Sequence, residues 1–392
     1  MAEKKYSVLR KCLLGFTALL ILLFFLESVA SIAYYQRNGG SRFALVGLYH
    51  NAMRNLHGLF NTQKGSRNQQ LVRPDSTLAV SEQIKAETSA CNKTVYDPWL
   101  QFRIADYTGK YVHVKGYNRL SIPWQAGSGA ENKDTLTIFF LGGSTMFGYN
   151  VSDQETIPAQ FATLYQQQYP TGRPVRVLNF GNPYYYSYQE LMQFTQLLYR
   201  GSKPDMVVEL DGLNDCLQIR SSLERIPMLT NLIQQVFIRG AAGGSLVDSN
   251  YLMYLPPPDM KTEVYGERIY RNLLENLRLT RDLAASHGIK PFFFIQPVPY
   301  YHYPNRSHDP ICIQDERPQF NYIYPLLDKA SQGSDDIQFL GNMLEQEKGL
   351  PFVDNYHYSP RMNKRIASAI LEKIAPSMAA FHRDTTLKNK GL

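Results

Sequence analysis

From about residue 133 onward the chain alternates between two hydrophobic periods, and this alternation narrows the fold more than any other feature. TLTIFFL (135–141) and PFFFIQ (291–296) are uncharged runs of β-branched and aromatic residues, and VRVLNF (175–180) and MVVEL (206–210) carry one charge each. Runs of this length and composition read as buried strands. Between them apolar residues recur at helical spacing. Residues 153–168 place Ile157, Phe161, Leu164 and Tyr165 on one face, and 188–200, 262–287 and 359–381 read the same way, the last with Pro360 in its first turn. Parallel strands need a crossover, and a helix supplies it. The expected fold is therefore α/β, a doubly wound parallel sheet with helices on both faces. Its site should lie beyond the carboxyl ends of the strands.

The N-terminus imposes a second constraint. Lys4, Lys5, Arg10 and Lys11 precede CLLGFTALLILLFFL (12–26), which has no charge, and apolar character resumes after Glu27 as far as Tyr35. A run of about 20 residues crosses a bilayer core of roughly 30 Å. SVA, ending at Ala30, resembles a signal-peptidase site. The basic flank and the total apolar length favour an uncleaved anchor over 12–35, with 1–11 in the cytoplasm and the rest outside it. Residues 36–95 lack a sustained period and read as a stalk or an irregular juxtamembrane region. The main domain is expected over 96–385, with an Ile-, Leu-, Gly- and Pro-rich insertion at 216–260 placed to act as a lid.

The formal net charge of +7 suits an anionic neighbour, but no nucleic-acid-binding motif accompanies it. Four cysteines are too few for a disulfide framework, and among Cys91, Cys216 and Cys312 at most one bridge can form. N-x-S/T sequons at Asn92, Asn150 and Asn305 are no more than chance supplies. His302, His308 and Asp309 have no metal-ligand spacing. No cofactor or metal is expected.

The motifs fall at strand ends. LGGSTMFG (141–148) lacks the lysine of a phosphate loop and the second glycine of a G-x-S-x-G elbow. Alone, it is a tight strand-to-helix turn. Two other strand ends add NFGNPYYYS with Gly181 and ELDGLNDC with Gly212 and Asn214, and a terminal loop adds FVDNYHYSP with Asp354 and His357. A Ser, a Gly, a G-x-N-D and a D-x-x-H in this order resemble the SGNH hydrolase superfamily of GDSL-type esterases. The upstream YDPWLQFRIADYTGKYVHVKGYNRLS resembles the lead-in of a membrane-tethered bacterial branch with a G-G-S-T first block. The resemblance implies a flavodoxin-like three-layer sandwich and an ester-cleaving activity.

It also implies roles. Ser144 would be the nucleophile, His357 its base and Asp354 the group orienting the base. The backbone N–H of Ser144, that of Gly181 and the Asn214 amide would form the oxyanion hole. The chemistry agrees, because a serine hydroxyl needs an adjacent base and the developing oxyanion needs donors already in place. By position, Tyr149, Tyr184, Tyr185 and Tyr300 flank the site, where they would line the substrate or pack under the loops. The expected partner is an ester substrate, such as an O-acylated glycan of the cell envelope, with water or a sugar hydroxyl accepting the acyl group. A non-catalytic glycan-binding or envelope-assembly protein could share the fold, as could a lipase or thioesterase.

Overall fold

A computed structural model describes residues 15–18, 22–23, 25–26, 78–121, 135–217, 261–309, 311 and 316–388. The chain divides into two compact units, 1–70 with 230–246, and 71–229 with 247–392. The second carries the fold. Helix α1 (Leu78–Cys91) precedes a hairpin of β1 (Thr94–Asp97) and β2 (Gln101–Ile104). Three short strands follow, β3 (Tyr107–Thr108), β4 (His113–Lys115) and β5 (Asn118–Arg119). The alternating part is β6 (Leu136–Gly142), α2 (Ser144–Phe147), α3 (Ile157–Gln168), β7 (Val175–Asn179), α4 (Ser187–Tyr199), β8 (Met206–Asp211) and α5 (Leu213–Leu217). It continues through α6 (Thr262–Ser286), β9 (Lys290–Ile295), α7 (Pro318–Gln332), β10 (Ile337–Phe339) and α8 (Pro360–Lys388).

The main sheet has the order β10-β9-β8-β6-β7-β5-β4-β3. β7, β6, β8, β9 and β10 run parallel, and β5, β4 and β3 extend the β7 edge antiparallel. The chain leaves β6 for β7 on one side and returns to β8 on the other. That reversal opens a crevice at the carboxyl ends of β6 and β8.

Strand alternation sets the two cores. Ile138 and Phe140 of β6 pack with Ile157 and Phe161 of α3 and with Ile366, Ile370 and Ile374 of α8. Phe139 and Leu141 face the other way, against Phe194 of α4 and Ala284 of α6. With both faces covered, strands of this kind read as near-continuous apolar runs.

Several elements differ from expectation. α1 lies within the segment expected as a stalk, and Ile84, Thr88 and Cys91 are its buried side chains. Their spacing is helical, but Ile84 alone is a large apolar residue, so the face is not marked in the sequence. β10 and the strands β3 to β5 are two or three residues long, too short to show alternation. Cys91 and Cys216 are both buried and free. The insertion 216–260 lies outside the described residues beyond Leu217, and most of 12–35 lies outside them too. Among the described residues no helix is long and apolar enough to cross a membrane.

Candidate active site

β6 delivers Gly143 and Ser144 to the crevice, with Ser144 opening the one-turn helix α2. A Cβ on Gly143 would lie 2.4 Å from Asn214 Nδ2 and 2.9 Å from the Tyr185 carbonyl oxygen. Glycine at 143 therefore lets the loops after β6, β7 and β8 meet beside the serine. Thr145, next in the motif, is buried and donates its hydroxyl to Gln296 Oε1 at 2.7 Å, tying α2 to the end of β9.

Asp354 and His357 sit in a tight loop before α8. An isolated bridge between Phe352 and Tyr358 closes it, and the Val353 N–H donates to the His357 carbonyl at 2.8 Å. Ser359 caps α8 by accepting from the Met362 N–H at 3.2 Å, and Pro360 occupies the first helical position.

This loop meets the serine. His357 Nε2 lies 2.7 Å from Ser144 Oγ, and His357 Nδ1 lies 2.7 and 2.8 Å from the two Asp354 oxygens. An ionised carboxylate only accepts, so Nδ1 carries the proton and Nε2 accepts from the serine hydroxyl. Asp354 Oδ1 also accepts the N–H groups of Tyr356 at 3.1 Å and His357 at 2.9 Å. Burial pushes the Asp354 carboxyl up, but the facing imidazole and these N–H donors outweigh it, so its pKa lies below the ordinary aspartate value.

Asn214 donates from Nδ2 to the Tyr185 carbonyl at 2.6 Å, which leaves its second amide hydrogen for another acceptor. Gly181 departs from expectation. Its N–H donates to Asn179 Oδ1 at 3.0 Å. A Cβ there would lie 2.3 Å from the Phe147 nitrogen, so the glycine accommodates α2 rather than a substrate.

The four tyrosines separate into two pairs. Tyr149 stacks on His357, with centroids 4.6 Å apart and planes 29° apart. Tyr184 is linked to it through Asn92, whose amide donates to the Tyr149 hydroxyl at 3.4 Å and the Tyr184 hydroxyl at 3.3 Å. Tyr185 and Tyr300, by contrast, are core residues. Tyr185 donates to the Phe102 carbonyl at 2.5 Å, and Tyr300 stacks on Phe320 at 4.9 Å. Tyrosine runs offer no way to tell these fates apart. The sequence also gave no hint of Asn150, whose Nδ2 donates to Asp354 Oδ2 at 2.6 Å.

A buried carboxyl cluster begins one residue past Asn214. Glu190 of α4, Glu209 and Asp211 of β8 and Asp215 of α5 are all buried. Asp215 Oδ1 accepts from the Ser187 hydroxyl at 2.5 Å. Burial pushes the Glu209 carboxyl up to about 8. Burial and the neighbouring carboxyls hold Glu190 and Asp211 well above their ordinary values. The unfolded chain ionises Glu209 near 4.5, whereas the folded domain keeps that proton until about 8. Raising the pH between these values therefore favours unfolding, by about 1.4 kcal/mol per pH unit for each proton released. Asp336, Glu347 and Asp354 are held below their ordinary values, so what they contribute is already present above pH 5. Calorimetry should find a lower melting temperature at pH 8 than at pH 5, and Glu209→Gln should flatten the difference. A higher melting temperature at pH 8 would contradict this reading of the cluster.

No protein-family model matches the sequence, and no curated protein matches it. Solved structures similar to the chain include TesA, at 16% identity over 61% of this chain and 98% of that one, with a TM-score of 0.36. Another is a catalytic mutant of Axe2, an acetylxylan esterase from Geobacillus stearothermophilus (15% identity, 61% and 94% coverage, TM-score 0.37). A third is a member of the lipolytic protein G-D-S-L family from Veillonella parvula (11%, 61% and 97%, TM-score 0.37). Likeness this loose carries no argument, so the functional reading rests on the residues of the site.

Proposed function

We propose that the chain is a serine esterase of the SGNH type, acting through an acyl-Ser144 intermediate. One observation carries this reading: the line Ser144 Oγ, His357, Asp354, with contacts of 2.7 Å on either side of the imidazole. His357 Nε2 takes the serine proton as Oγ attacks the ester carbonyl, and Asp354 stabilises the imidazolium that results. The carbonyl oxygen gains negative charge, and the Ser144 N–H and the Asn214 amide supply donors for it. His357 then protonates the leaving alcohol. Water, or a sugar hydroxyl in a transferase, attacks the acyl-enzyme with His357 again as base. Tyr149 and Tyr184, half-buried beside the triad, support an O-acylated carbohydrate, because flat rings stack on sugar faces. The test is hydrolysis of p-nitrophenyl acetate and longer acyl esters by the full chain. A chain inactive on every ester offered would argue for a non-catalytic binding role.

The proposed setting is a single-pass membrane protein with this domain outside the cytoplasm. The basic flank and the apolar stretch of 12–35 support it. So do Phe16, Leu22, Leu23, Phe25 and Leu26, which are helical and exposed, as lipid-facing side chains would be. Such a chain should remain in membranes washed with carbonate and keep its N-terminus. A mature chain beginning at Ser31 would show a cleaved signal peptide instead.

A further inference from the structure

The loop that leaves α2 touches both partners of Ser144. Tyr149 covers one face of the His357 ring, and Asn150 donates to Asp354 Oδ2 at 2.6 Å. Asn150 has a φ of 61°, a left-handed conformation that asparagine tolerates better than most residues. That conformation needs support from outside the loop, and Arg119 provides it. Arg119 is fully buried, and its guanidinium donates to the carbonyls of Phe147 at 2.8 Å, Gly148, and Val151 at 2.6 Å. Its Nε donates to Asp153 Oδ1 at 3.1 Å, while Asp153 Oδ2 lies 2.7 Å from His113 Nδ1. Three carbonyls of one loop are thus held by a single planar fork.

We propose that residues 148–153, gripped by Arg119, form a positioning device that sets the orientation and basicity of the His357–Asp354 pair through Tyr149 and Asn150. The inference rests on the esterase reading and deepens it. Asn150 restrains the carboxylate by donating to Oδ2, the same oxygen that lies 2.7 Å from His357 Nδ1. It is a neutral donor, so it does this without adding a charge. Tyr149 keeps the ring from tilting out of line with Ser144 Oγ. Its phenol is pushed up to about 12 by burial, with Tyr184 and Asp354 adding to the rise, so it presents a neutral aromatic face to the imidazolium. Among the described residues the groups packed on His357 include Ser144, Asp354, Tyr149 and Tyr356, of which Asp354 is the carboxylate.

Arg119 is the wrong probe, because its removal would take the guanidinium from Asp153 and from three loop carbonyls and endanger folding. Asn150 and Tyr149 can be changed with less risk. The readout is the rate at which a small alkyl fluorophosphonate labels the full chain in detergent between pH 5 and 9, with thermal melts alongside. This reaction needs the activated serine but not the natural substrate. Asn150→Gly, which keeps the left-handed backbone without strain, should slow labelling by roughly tenfold or more at a nearly unchanged melt, the cost of a misaligned base. Asn150→Asp places a second carboxylate beside Asp354, so the site should hold a proton to higher pH. The acid limb of its profile should move up by about one unit or more. Tyr149→Ala should slow labelling, and Tyr149→Phe should recover most of the loss. If wild type labels and these variants match it in rate and pH profile, the positioning device is refuted and the esterase reading stands. If wild type itself does not label, the esterase reading fails and the device falls with it.

Discussion

Replacing Ser144 with alanine is expected to lower ester turnover by on the order of 10⁶-fold, with thermal unfolding little changed. The reasoning is local. The substitution removes one hydroxyl, whose contact in the structure is His357 Nε2 at 2.7 Å. Gly143 on one side and Thr145 with its bond to Gln296 on the other are untouched, so the turn should keep its shape. Without the nucleophile, the oxyanion donors and the bound geometry should still leave a rate of roughly 10³–10⁴ over uncatalysed hydrolysis. Steady-state assays with p-nitrophenyl acetate, beside a thermal melt, check both parts. A variant that melts normally and retains full activity would show that another group attacks the ester.

Asn214→Ala is expected to reduce kcat by about 100- to 1,000-fold and to leave KM nearly constant, the behaviour of a lost oxyanion donor. The position is well defined. The amide lies against Gly143 and is held by the Tyr185 carbonyl at 2.6 Å. That bond uses one of its two hydrogens and orients the other. The expectation also reflects the finding that the Gly181 N–H is committed to Asn179, which leaves more of the oxyanion's charge to Asn214 and the Ser144 N–H. A variant whose loss appears in KM alone would make Asn214 a substrate-binding residue instead.

These expectations depend on contacts of very different visibility. The four strands and their helices were legible because a parallel sheet covered on both faces writes long apolar runs, as in residues 136–142, 206–211 and 290–295. Ser144 and Asn214 were legible as residue types at strand ends, and Asp354 and His357 as a D-x-x-H before the terminal helix. The loop contacts bring His357 to Ser144. What escaped was set by contacts across the chain. Asn150 and Asp354 are 204 residues apart, and nothing local to NVS announces a bond between them. Gly181 carries the same letter whether it clears a substrate or the backbone of Phe147, and only the packing distinguishes the two. Tyr149 and Tyr185 have the same ambiguity. One covers the imidazole and the other fills the core. The edge strands β3 to β5 were missed because pairs of two or three residues draw their definition from the neighbour, not from their own pattern.

The central claim is that Ser144 is an activated nucleophile, and mapping a covalent adduct tests it most directly. The full chain is treated with a small alkyl fluorophosphonate, digested, and analysed by peptide mass spectrometry. The expected result is a single adduct on Ser144, absent when the chain carries His357→Gln. An unmodified Ser144, or an adduct equally abundant without His357, would contradict the account.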